Sequence, residues 1–333
     1  MKILVTGGAG YIGGTVAELL AEKGHQAVVF DNLRHSRRGF LPIGAEFVEG
    51  ELADRAALEN LFIKAKSQGR PFGGVLHFAA LIEAGESMER PEIYFRNNTA
   101  ATLSLLEAIL AHGPRRLVFS STAAVYGEPE SIPIQEDARL LPTNPYGESK
   151  LLVEHMLDWL NRIHGLRYAS LRYFNVAGAQ EGPQGVTRGE AHEPESHLIP
   201  LILDVALGRS KSIHIYGEDY PTPDGTCIRD YIHVSDLADA HLLALDALET
   251  RDRLIFNLGN GQGFSVREVI ESGRRVTGHA IPAEVHPRRA GDAAVLVASS
   301  EKAIRELGWK PRYTQLDEII RTAWIWHRKR YAG

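Results

Sequence analysis

The stretch KILVTGGAGYIG, residues 2–13, decides the fold. Its apolar start is typical of a strand buried on both faces, and after the glycines apolar residues recur at helical spacing as far as Leu20. Two overlapping motifs, G-x-G-x-x-G and G-x-x-G-x-x-G, fit the glycines Gly7, Gly8, Gly10 and Gly13. Such a turn lets a pyrophosphate approach the backbone at a helix amino terminus. The stretch therefore predicts the strand, turn and helix that open a dinucleotide-binding fold.

A second predicted strand, residues 27–30, ends at Asp31. An acidic residue at about this distance from the glycines binds the adenosine ribose hydroxyls in such folds. Asp31 favours NAD over NADP, because its carboxylate would repel a 2′-phosphate. Three nearby arginines could accept that phosphate, but we expect a solvated loop to carry them: Arg34, Arg37 and Arg38.

Strands and helices then alternate. Further strands are predicted at 45–48, 75–80, 116–120 and 167–173, and helices at 56–66, 94–111 and from Tyr146 to about 163. This order predicts an α/β, Rossmann-type doubly wound parallel sheet. Ligands of such sheets lie outside the carboxyl ends of the strands, where we expect Thr6, Asp31, Phe78 and Ser120.

The second half of the sequence has a looser pattern, with a loop expected at 178–195 and a strand at 254–258 that returns to the main sheet. A helix that Ser235 or Asp236 caps is expected after residue 234, and a last helix at about 316–329. We predict that residues 1–175, with about 230–258, form the NAD-binding domain. Residues 176–229 and 259–333 would form a smaller, interleaved C-terminal substrate-binding lobe.

Composition excludes several classes of protein. With 333 residues, 44% apolar content and a net charge of −5, the chain gives no reason to expect nucleic acid or anionic membrane as a partner. Cys227 is the only cysteine, and the 14 histidines match no standard metal motif, so no metal site is predicted. No apolar run approaches the roughly 20 residues of a membrane span, and the immediate strand leaves no room for a signal peptide. We expect a cytoplasmic protein.

A candidate catalytic group lies in the middle of the chain. Tyr146 and Lys150 are four residues apart and so share one face of a helix. A lysine ammonium beside a phenol favours the phenolate, which would lower the pKa of Tyr146 and make it a usable general base. A hydroxyl of Thr122 or Ser121, at the end of the preceding strand, would share the same substrate oxygen.

Several segments resemble the extended short-chain dehydrogenases/reductases: TGGAGYIG (6–13), Asp31-Asn32, FSSTAAVYG (119–127), NPYGESK (144–150) and RYFNVAGA (172–179). With GEDYPTPDGTCIRDYIHVSDLADAH (217–241) and PRRAGD (287–292), the resemblance narrows to the UDP-glucose 4-epimerase family and covers nearly the whole chain. It implies NAD-dependent 4-epimerisation of a UDP-hexose (UDP-galactose or UDP-glucose) through a transient 4-keto intermediate. Ala123 and Ala124 stand where related dehydratases carry an acidic pair, which argues against dehydration.

Other functions stay open. The same motifs fit epimerases of UDP-glucuronate or UDP-pentoses, or a nucleotide-sugar 4-ketoreductase, because they report hydride transfer and not its reversal. A non-catalytic NAD-binding regulator is a more distant alternative; it would predict a damaged catalytic group, and Thr122, Tyr146 and Lys150 are all present.

The resemblance also implies which residues bind the two ligands. The expected cofactor contacts run from the pyrophosphate through the adenosine to the nicotinamide: Gly7, Gly10, Tyr11, Ile12, Gly13, Asp31, Asn32, Glu51, Leu52, Phe78, Ala79, Ala80, Asn97, Tyr146, Lys150 and Phe174. The expected nucleotide-sugar contacts, with two arginines suited to a diphosphate, are Ser121, Thr122, Asn175, His197, Leu198, His214, Tyr216, Arg229, Arg289, Asp292 and Leu296.

Four positions bear on specificity. Glu51 stands where the family often has Asp, Ile82 replaces a lysine of some members, and His197 occupies a position often held by Asn. Leu296 falls where a bulky Tyr excludes N-acetylated sugars in some members. The smaller Leu predicts that UDP-N-acetylglucosamine is also accepted.

A homodimer is expected by analogy, through the helix that bears Tyr146 and the helix at 94–111. Its apolar face would be supplied by Leu151, Leu152, Met156 and Leu160, which burial within one chain explains equally well.

Overall fold

The structure is a computed structural model that describes residues 1–36, 38–182, 185–289 and 291–331. Its strands, numbered in chain order, are β1 (Lys2–Thr6), β2 (Gln26–Asp31), β3 (Glu46–Glu49), β4 (Phe72–His77), β5 (Arg116–Thr122), β6 (Arg167–Tyr173), β7 (Asn175–Ala177), β8 (Ala179–Gly182), β9 (Gly185–Gly189), β10 (Ile213–Tyr216), β11 (Ile228–His233), β12 (Arg253–Leu258), β13 (Gly263–Ser265), β14 (Ala283–His286) and β15 (Val295–Leu296). Its α-helices are α1 (Tyr11–Glu22), α2 (Arg55–Ser67), α3 (Ala84–Glu89), α4 (Pro91–Tyr94), α5 (Ala101–His112), α6 (Pro145–His164), α7 (Leu198–Ala206), α8 (Val234–Ala247), α9 (Val266–Thr277), α10 (Glu301–Leu307) and α11 (Leu316–Tyr331).

The main sheet has seven strands in the order β12-β6-β5-β4-β1-β2-β3, and every pair is parallel. The strand order reverses at β1, so β1 and β4 flank the point where a doubly wound sheet opens a crevice for a ligand. The predicted α/β fold is confirmed, and the strand predicted at 254–258 joins the sheet edge as expected.

Side chains alternate between the two faces of this sheet. Ile3 and Val5 pack in a core with residues of α1 and α8, whereas Leu4 packs in a second core with residues of α2, α5 and α6. Both faces are therefore covered by helices, which explains why β1 reads as a continuous apolar run.

A third core belongs to the C-terminal part of the chain. It joins α7, α9 and α11 through residues such as Ile202, Ile270 and Ile320. Beside it, the short strands β7, β13 and β15 all pair with β11, and β10 pairs with β14. Strand β11 therefore lies outside the main sheet, although α8, which follows it, packs against α1 in the first core. The two-domain division remains our proposal.

Three local predictions were wrong. Residues 178–195 contain the antiparallel hairpin β8–β9, which a buried ion pair between Arg188 and Glu18 ties to α1; the glycine-rich sequence gave no alternation to reveal it. The expected helix at 94–111 is interrupted by a π-helix at Phe95–Ala100. Helix α8 is capped by His233, whose Nδ1 accepts from the Ser235 amide at 3.1 Å, and not by Ser235 or Asp236.

Candidate active site

The catalytic candidates meet where β5 ends and α6 begins. Pro145 starts α6, and the Asn144 side chain caps it by accepting from the Gly147 amide at 2.8 Å. A Cβ on Gly147 would lie 2.5 Å from the Ala124 carbonyl oxygen, so only glycine lets the helix approach the segment after β5 this closely. This approach brings the Tyr146 phenol near the Thr122 side chain, whose hydroxyl oxygen accepts from the Ala124 amide at 3.1 Å.

Burial dominates the electrostatics of this group. Desolvation raises the pKa of Tyr146; the hydrogen bond with Thr122 lowers it, and the negative charge of Glu83 raises it further. Desolvation also lowers the pKa of Lys150 to about 7. The Lys150 ammonium donates to the Ser120 carbonyl oxygen at 2.9 Å and lies 5.0 Å from the Phe119 ring centroid. The expected lowering of the Tyr146 pKa by Lys150 is therefore wrong for the protein alone, because the cost of burying a phenolate is larger.

Strand alternation separates the three hydroxyls at the end of β5. Ser121 is fully buried and donates to Glu154 at 2.5 Å, on the opposite face of the strand from Thr122. Glu154 in turn forms a buried ion pair with Arg172, with 2.6 Å between Oε2 and the guanidinium. The assignment of Ser121 to the substrate is therefore corrected: its hydroxyl belongs to this buried network.

The glycine turn after β1 is pressed against the sheet. Gly7 has a φ of +73°, and a Cβ there would lie 2.5 Å from the Ala79 amide nitrogen. A Cβ on Gly13 would lie 2.5 Å from the Gly7 carbonyl oxygen, which holds the first turn of α1 against the loop. Gly10 is the N-cap of α1 and has no side chain to occupy the free amides of the first turn. These amides suit a pyrophosphate.

The adenosine-side candidates also come together. Asp31 accepts from the Ala9 amide at 3.1 Å and from the Leu33 amide at 2.8 Å, so its carboxylate joins the glycine turn to the loop that follows β2. The Asn32 amide donates to Glu51 at 3.0 Å, so these two adenosine-side candidates are in direct contact. Arg38 pairs with Glu49, as expected of a surface loop; Arg37 lies outside the described residues.

Other cofactor candidates have mainly structural contacts. Tyr11 is buried and donates to the Gly178 carbonyl oxygen at 2.6 Å; burial, with the charges of Glu190 and Glu195, raises its pKa. Ile12 and Leu52 pack on the cores of opposite sheet faces. Phe174 is buried in a small apolar cluster that Leu296 borders.

The loop that follows β4 is held by a residue the sequence analysis missed. Phe78 donates its amide to the Thr6 carbonyl oxygen at 2.9 Å, and Ala79 and Ala80 follow. Buried Asn98 fixes Leu81 by accepting from its amide at 2.8 Å and donating to its carbonyl oxygen at 2.9 Å. The predicted Asn97 only donates to Asn98 at 3.0 Å. The Asn-Asn pair at 97–98 was visible in the sequence, but the π-helix that orients it was not.

The nucleotide-sugar candidates form two groups. In the first, the guanidinium of Arg229 lies 3.6 Å from Asp292, Leu296 pairs with Arg229 in the β11–β15 register, and the guanidinium carbon of Arg289 lies 3.9 Å from the Tyr216 ring centroid. The charges of Arg229, Asp292 and Arg289 all act on the Cys227 thiol, whose pKa burial raises, so the three lie in one neighbourhood. His214 adjoins Tyr216, with 6.1 Å between ring centroids, and Asn175 begins β7 next to β11.

The second group is His197 with Leu198 at the start of α7. The His197 Nδ1 lies 2.8 Å from Glu190 and 3.1 Å from Glu195, and these carboxylates raise its pKa well above the usual value against the opposing effect of burial. Glu83, an acidic residue that the sequence analysis did not identify, links this group to the catalytic centre. It acts on the Tyr146 phenol and accepts from the Ser196 hydroxyl at 2.6 Å.

The chain is similar to known proteins over nearly its full length. UDP-glucose 4-epimerase of Streptomyces lividans is 54% identical over 333 residues, covering 100% of this chain and 98% of the relative. The crystal structure of UDP-glucose 4-epimerase from Brucella ovis in complex with NAD superposes with a TM-score of 0.92, at 45% identity and 98% coverage of both chains. The enzyme from Bifidobacterium longum, in complex with NAD⁺ and UDP, gives a TM-score of 0.91 at 36% identity, covering 100% and 99%.

Two further findings complete the description. Within the described part of the chain, no helix is both long and apolar enough to cross a bilayer. The sequence pattern of the NAD dependent epimerase/dehydratase family matches residues 3–259. The match covers more than half of the chain, and relatives share about half of its residues over its full length. The chain therefore belongs to the NAD dependent epimerase/dehydratase family.

Proposed function

We propose that this chain is an isomerase that interconverts UDP-galactose and UDP-glucose with bound NAD. The observation that carries the proposal is the position of the Tyr146 phenol beside Thr122, with Lys150 one helical turn away, at the carboxyl edge of a doubly wound sheet. The UDP-glucose 4-epimerases that are similar to it over their full length support the substrate class.

The residues present fit a dinucleotide. The amides of the first turn of α1 would bind the pyrophosphate, Asp31 and Asn32 the adenosine ribose, and Lys150 the nicotinamide ribose. Bound NAD supplies the acceptor for the hydride from C4 of the sugar and its donor for the return to the opposite face.

The chain's own part is proton transfer and positioning. Tyr146 takes the proton of the sugar 4-hydroxyl and later returns it, while Thr122 hydrogen-bonds the same oxygen. Because burial alone raises the pKa of Tyr146, an added positive charge is needed to make the phenol acidic. Either a charged Lys150 or the positive charge of an oxidised nicotinamide meets this need.

The reaction has a direct test. Pure protein is incubated with UDP-galactose without added cofactor, and the sugar nucleotides are separated by chromatography. We expect conversion to UDP-glucose by the natural chain. Tyr146→Phe should convert the substrate roughly 10²- to 10⁴-fold more slowly while it still binds UDP. Accumulation of an oxidised sugar, or a requirement for a stoichiometric reductant, would instead support the 4-ketoreductase. Conversion of UDP-glucuronate or a UDP-pentose in preference to UDP-hexose would support the other epimerases.

N-acetylated substrates are a further part of the proposal. Leu296 is half-buried and borders the apolar cluster around Phe174, beside Arg229 in the neighbouring strand. A side chain of this size leaves room that a tyrosine would fill. We expect the natural chain to epimerise UDP-N-acetylglucosamine and Leu296→Tyr to lose this activity while it keeps that on UDP-galactose. Equal loss on both substrates would show that Leu296 only packs the core.

We also propose a homodimer formed through α6 and the helical segment at 91–112. Of the residues first suggested for its apolar face, Leu151 is buried, and Met156 and Leu160 pack on a core of the same chain. Other apolar side chains on these elements are exposed: Leu103 (43%), Trp159 (60%) and Ile163 (66%). Light scattering should give twice the chain mass, and Trp159→Glu should give the monomer. Cytoplasmic location stays a prediction.

A further inference from the structure

Four metal-ligating side chains converge between β9 and α7. Glu190, His192, Glu195 and His197 each bring one ligand atom, and all four atoms lie within 4.8 Å of one another. The Glu190 carboxylate is buried; its Oε1 lies 3.1 Å from the His192 Nδ1 and 2.8 Å from the His197 Nδ1. In a tetrahedral zinc site with bonds of about 2.0–2.2 Å, ligand atoms are roughly 3.3 Å apart, so small shifts would admit an ion.

His192 brings an unpartnered ligand atom to this cluster. Its Nδ1 is buried and makes no hydrogen bond with the described residues, although it lies 3.1 Å from Glu190. A protonated imidazole held only by the carboxylate needs its N–H aimed at the oxygen. A metal ion needs only that the lone pairs of the imidazoles and carboxylates converge on one point.

Hydrogen bonds hold the segment that carries the cluster. The Glu195 Oε1 accepts from the Ser196 amide at 2.9 Å and the His197 amide at 3.0 Å, which fixes this side chain against its own loop. The carbonyl oxygen of Glu190 accepts from the Trp326 indole at 2.9 Å, and this anchors the loop to α11. Such outer partners are what orients the ligands in metal sites.

We propose that Glu190, His192, Glu195 and His197 bind one divalent first-row metal ion, with Zn²⁺ as the ion that the two imidazoles and two carboxylates suit best. Four protein ligands fill a tetrahedral shell and leave no open position, which marks a structural site. The ion would fix the loop between β9 and α7, and His197 would then be a metal ligand and not the expected contact of the nucleotide sugar. The spacing E-x-H-x-x-E-x-H matches no standard metal motif. The sequence analysis predicted no metal site because it looked only for such motifs.

The test uses tag-free protein, stripped with a chelator and then given Zn²⁺. We expect about one Zn²⁺ per chain to remain after gel filtration, and the melting temperature to rise on Zn²⁺ addition. Glu190→Gln and His192→Asn should weaken Zn²⁺ binding by more than the roughly 10- to 100-fold that loss of an outer partner costs. His279→Asn, a change at an exposed histidine outside the cluster, is the matched control and should bind like the natural chain.

A second histidine group provides the competing outcome. His214, Glu284 and His286 also lie within ligand distance of one another, but two of them are exposed. Loss of the ion in His286→Asn with retention in His192→Asn would overturn the proposal. So would stripped protein that takes up no Zn²⁺ and shows no change in melting temperature, because the cluster would then hold protons only. Circular dichroism confirms that each variant is folded, and none of these readouts depends on epimerase activity.

Discussion

The buried pair of Glu154 and Arg172 is the sharpest place to test how the catalytic edge is supported. The two side chains are 6% and 2% exposed, and they form two hydrogen bonds of 3.0 Å and 2.6 Å. Ser121 adds a third bond to the same carboxylate at 2.5 Å. Arg172 also donates to the Tyr126 hydroxyl at 2.9 Å and the Glu136 carbonyl oxygen at 3.0 Å, so its charge is fully enclosed.

Glu154→Gln keeps the shape of the side chain and removes its charge. One amide oxygen can still accept from Arg172, but the amide nitrogen then faces a guanidinium that was 2.6 Å from the carboxylate. Removal of one partner from a buried pair costs about 3–5 kcal/mol, because the other charge remains buried. The entropy of unfolding is ~2.1 cal/mol/K per residue, and the chain has 333 residues. The loss of stability therefore lowers the melting temperature by roughly 4–7 °C.

Urea unfolding of four proteins provides the assay: the natural chain, Glu154→Gln, Arg172→Met and the double variant. We expect the double variant to lose clearly less than the sum of the single losses, because it leaves no unpaired charge. Glu271→Gln is the control: it breaks the exposed pair with Arg274 and should cost under about 1 kcal/mol. A loss below about 1 kcal/mol in Glu154→Gln would refute the reasoning.

Three further predictions concern the catalytic centre. Tyr146→Phe should lower kcat by roughly 10²- to 10⁴-fold with nearly unchanged UDP binding in a titration, and an active variant would remove the proton-transfer role. Thr122→Ala should lower kcat about tenfold. Ser121→Ala should leave kcat and KM within about twofold of the natural values, but it should lower the unfolding free energy by ~1–3 kcal/mol in urea. The reverse pattern would mean that Ser121, and not Thr122, contacts the substrate. Burial lowers the pKa of Lys150 to about 7 from 10.5, so between these values the unfolded chain binds more protons and stability rises with pH. In cofactor-free protein, the unfolding free energy of Lys150→Met should rise with pH less steeply than that of the natural chain, by up to about 1.4 kcal/mol per pH unit. Equal slopes of unfolding free energy against pH in the two proteins would contradict a buried Lys150.

The sequence predicts the main sheet well because its signals are local. Each strand is a short apolar run next to a helix with its own period, and the glycine turn has a backbone conformation at Gly7 that few other residues adopt. The smaller lobe was harder to predict, since β7, β13 and β15 are two or three residues long and pair with β11 across long stretches of chain. Strands this short carry no period that could be read.

The errors at the site have the same origin. Tyr146 and Lys150 were found by spacing, but the direction of the Tyr146 pKa depends on burial, which spacing does not report. Ser121 was placed with Thr122 because both are hydroxyls, although a period of two puts neighbours on opposite faces of β5. The contacts of Asn98 arise only when the π-helix packs against the loop that follows β4.

Epimerisation sets opposite demands on the two ends of the substrate, and the distribution of side chains fits both. The nucleotide must stay bound while the keto sugar turns over, so strong anchors belong at the nucleotide. We propose that Arg229, Asp292, Arg289 and Tyr216, which form one charged and aromatic neighbourhood, supply these anchors. The hexose must be free to rotate, and the proposed surroundings of Phe174 and Leu296 are apolar and offer it few directional bonds. Added polar contacts there would bind one orientation of the sugar more tightly and slow the turnover. We therefore expect the apolar surface to serve the chemistry as well as core packing.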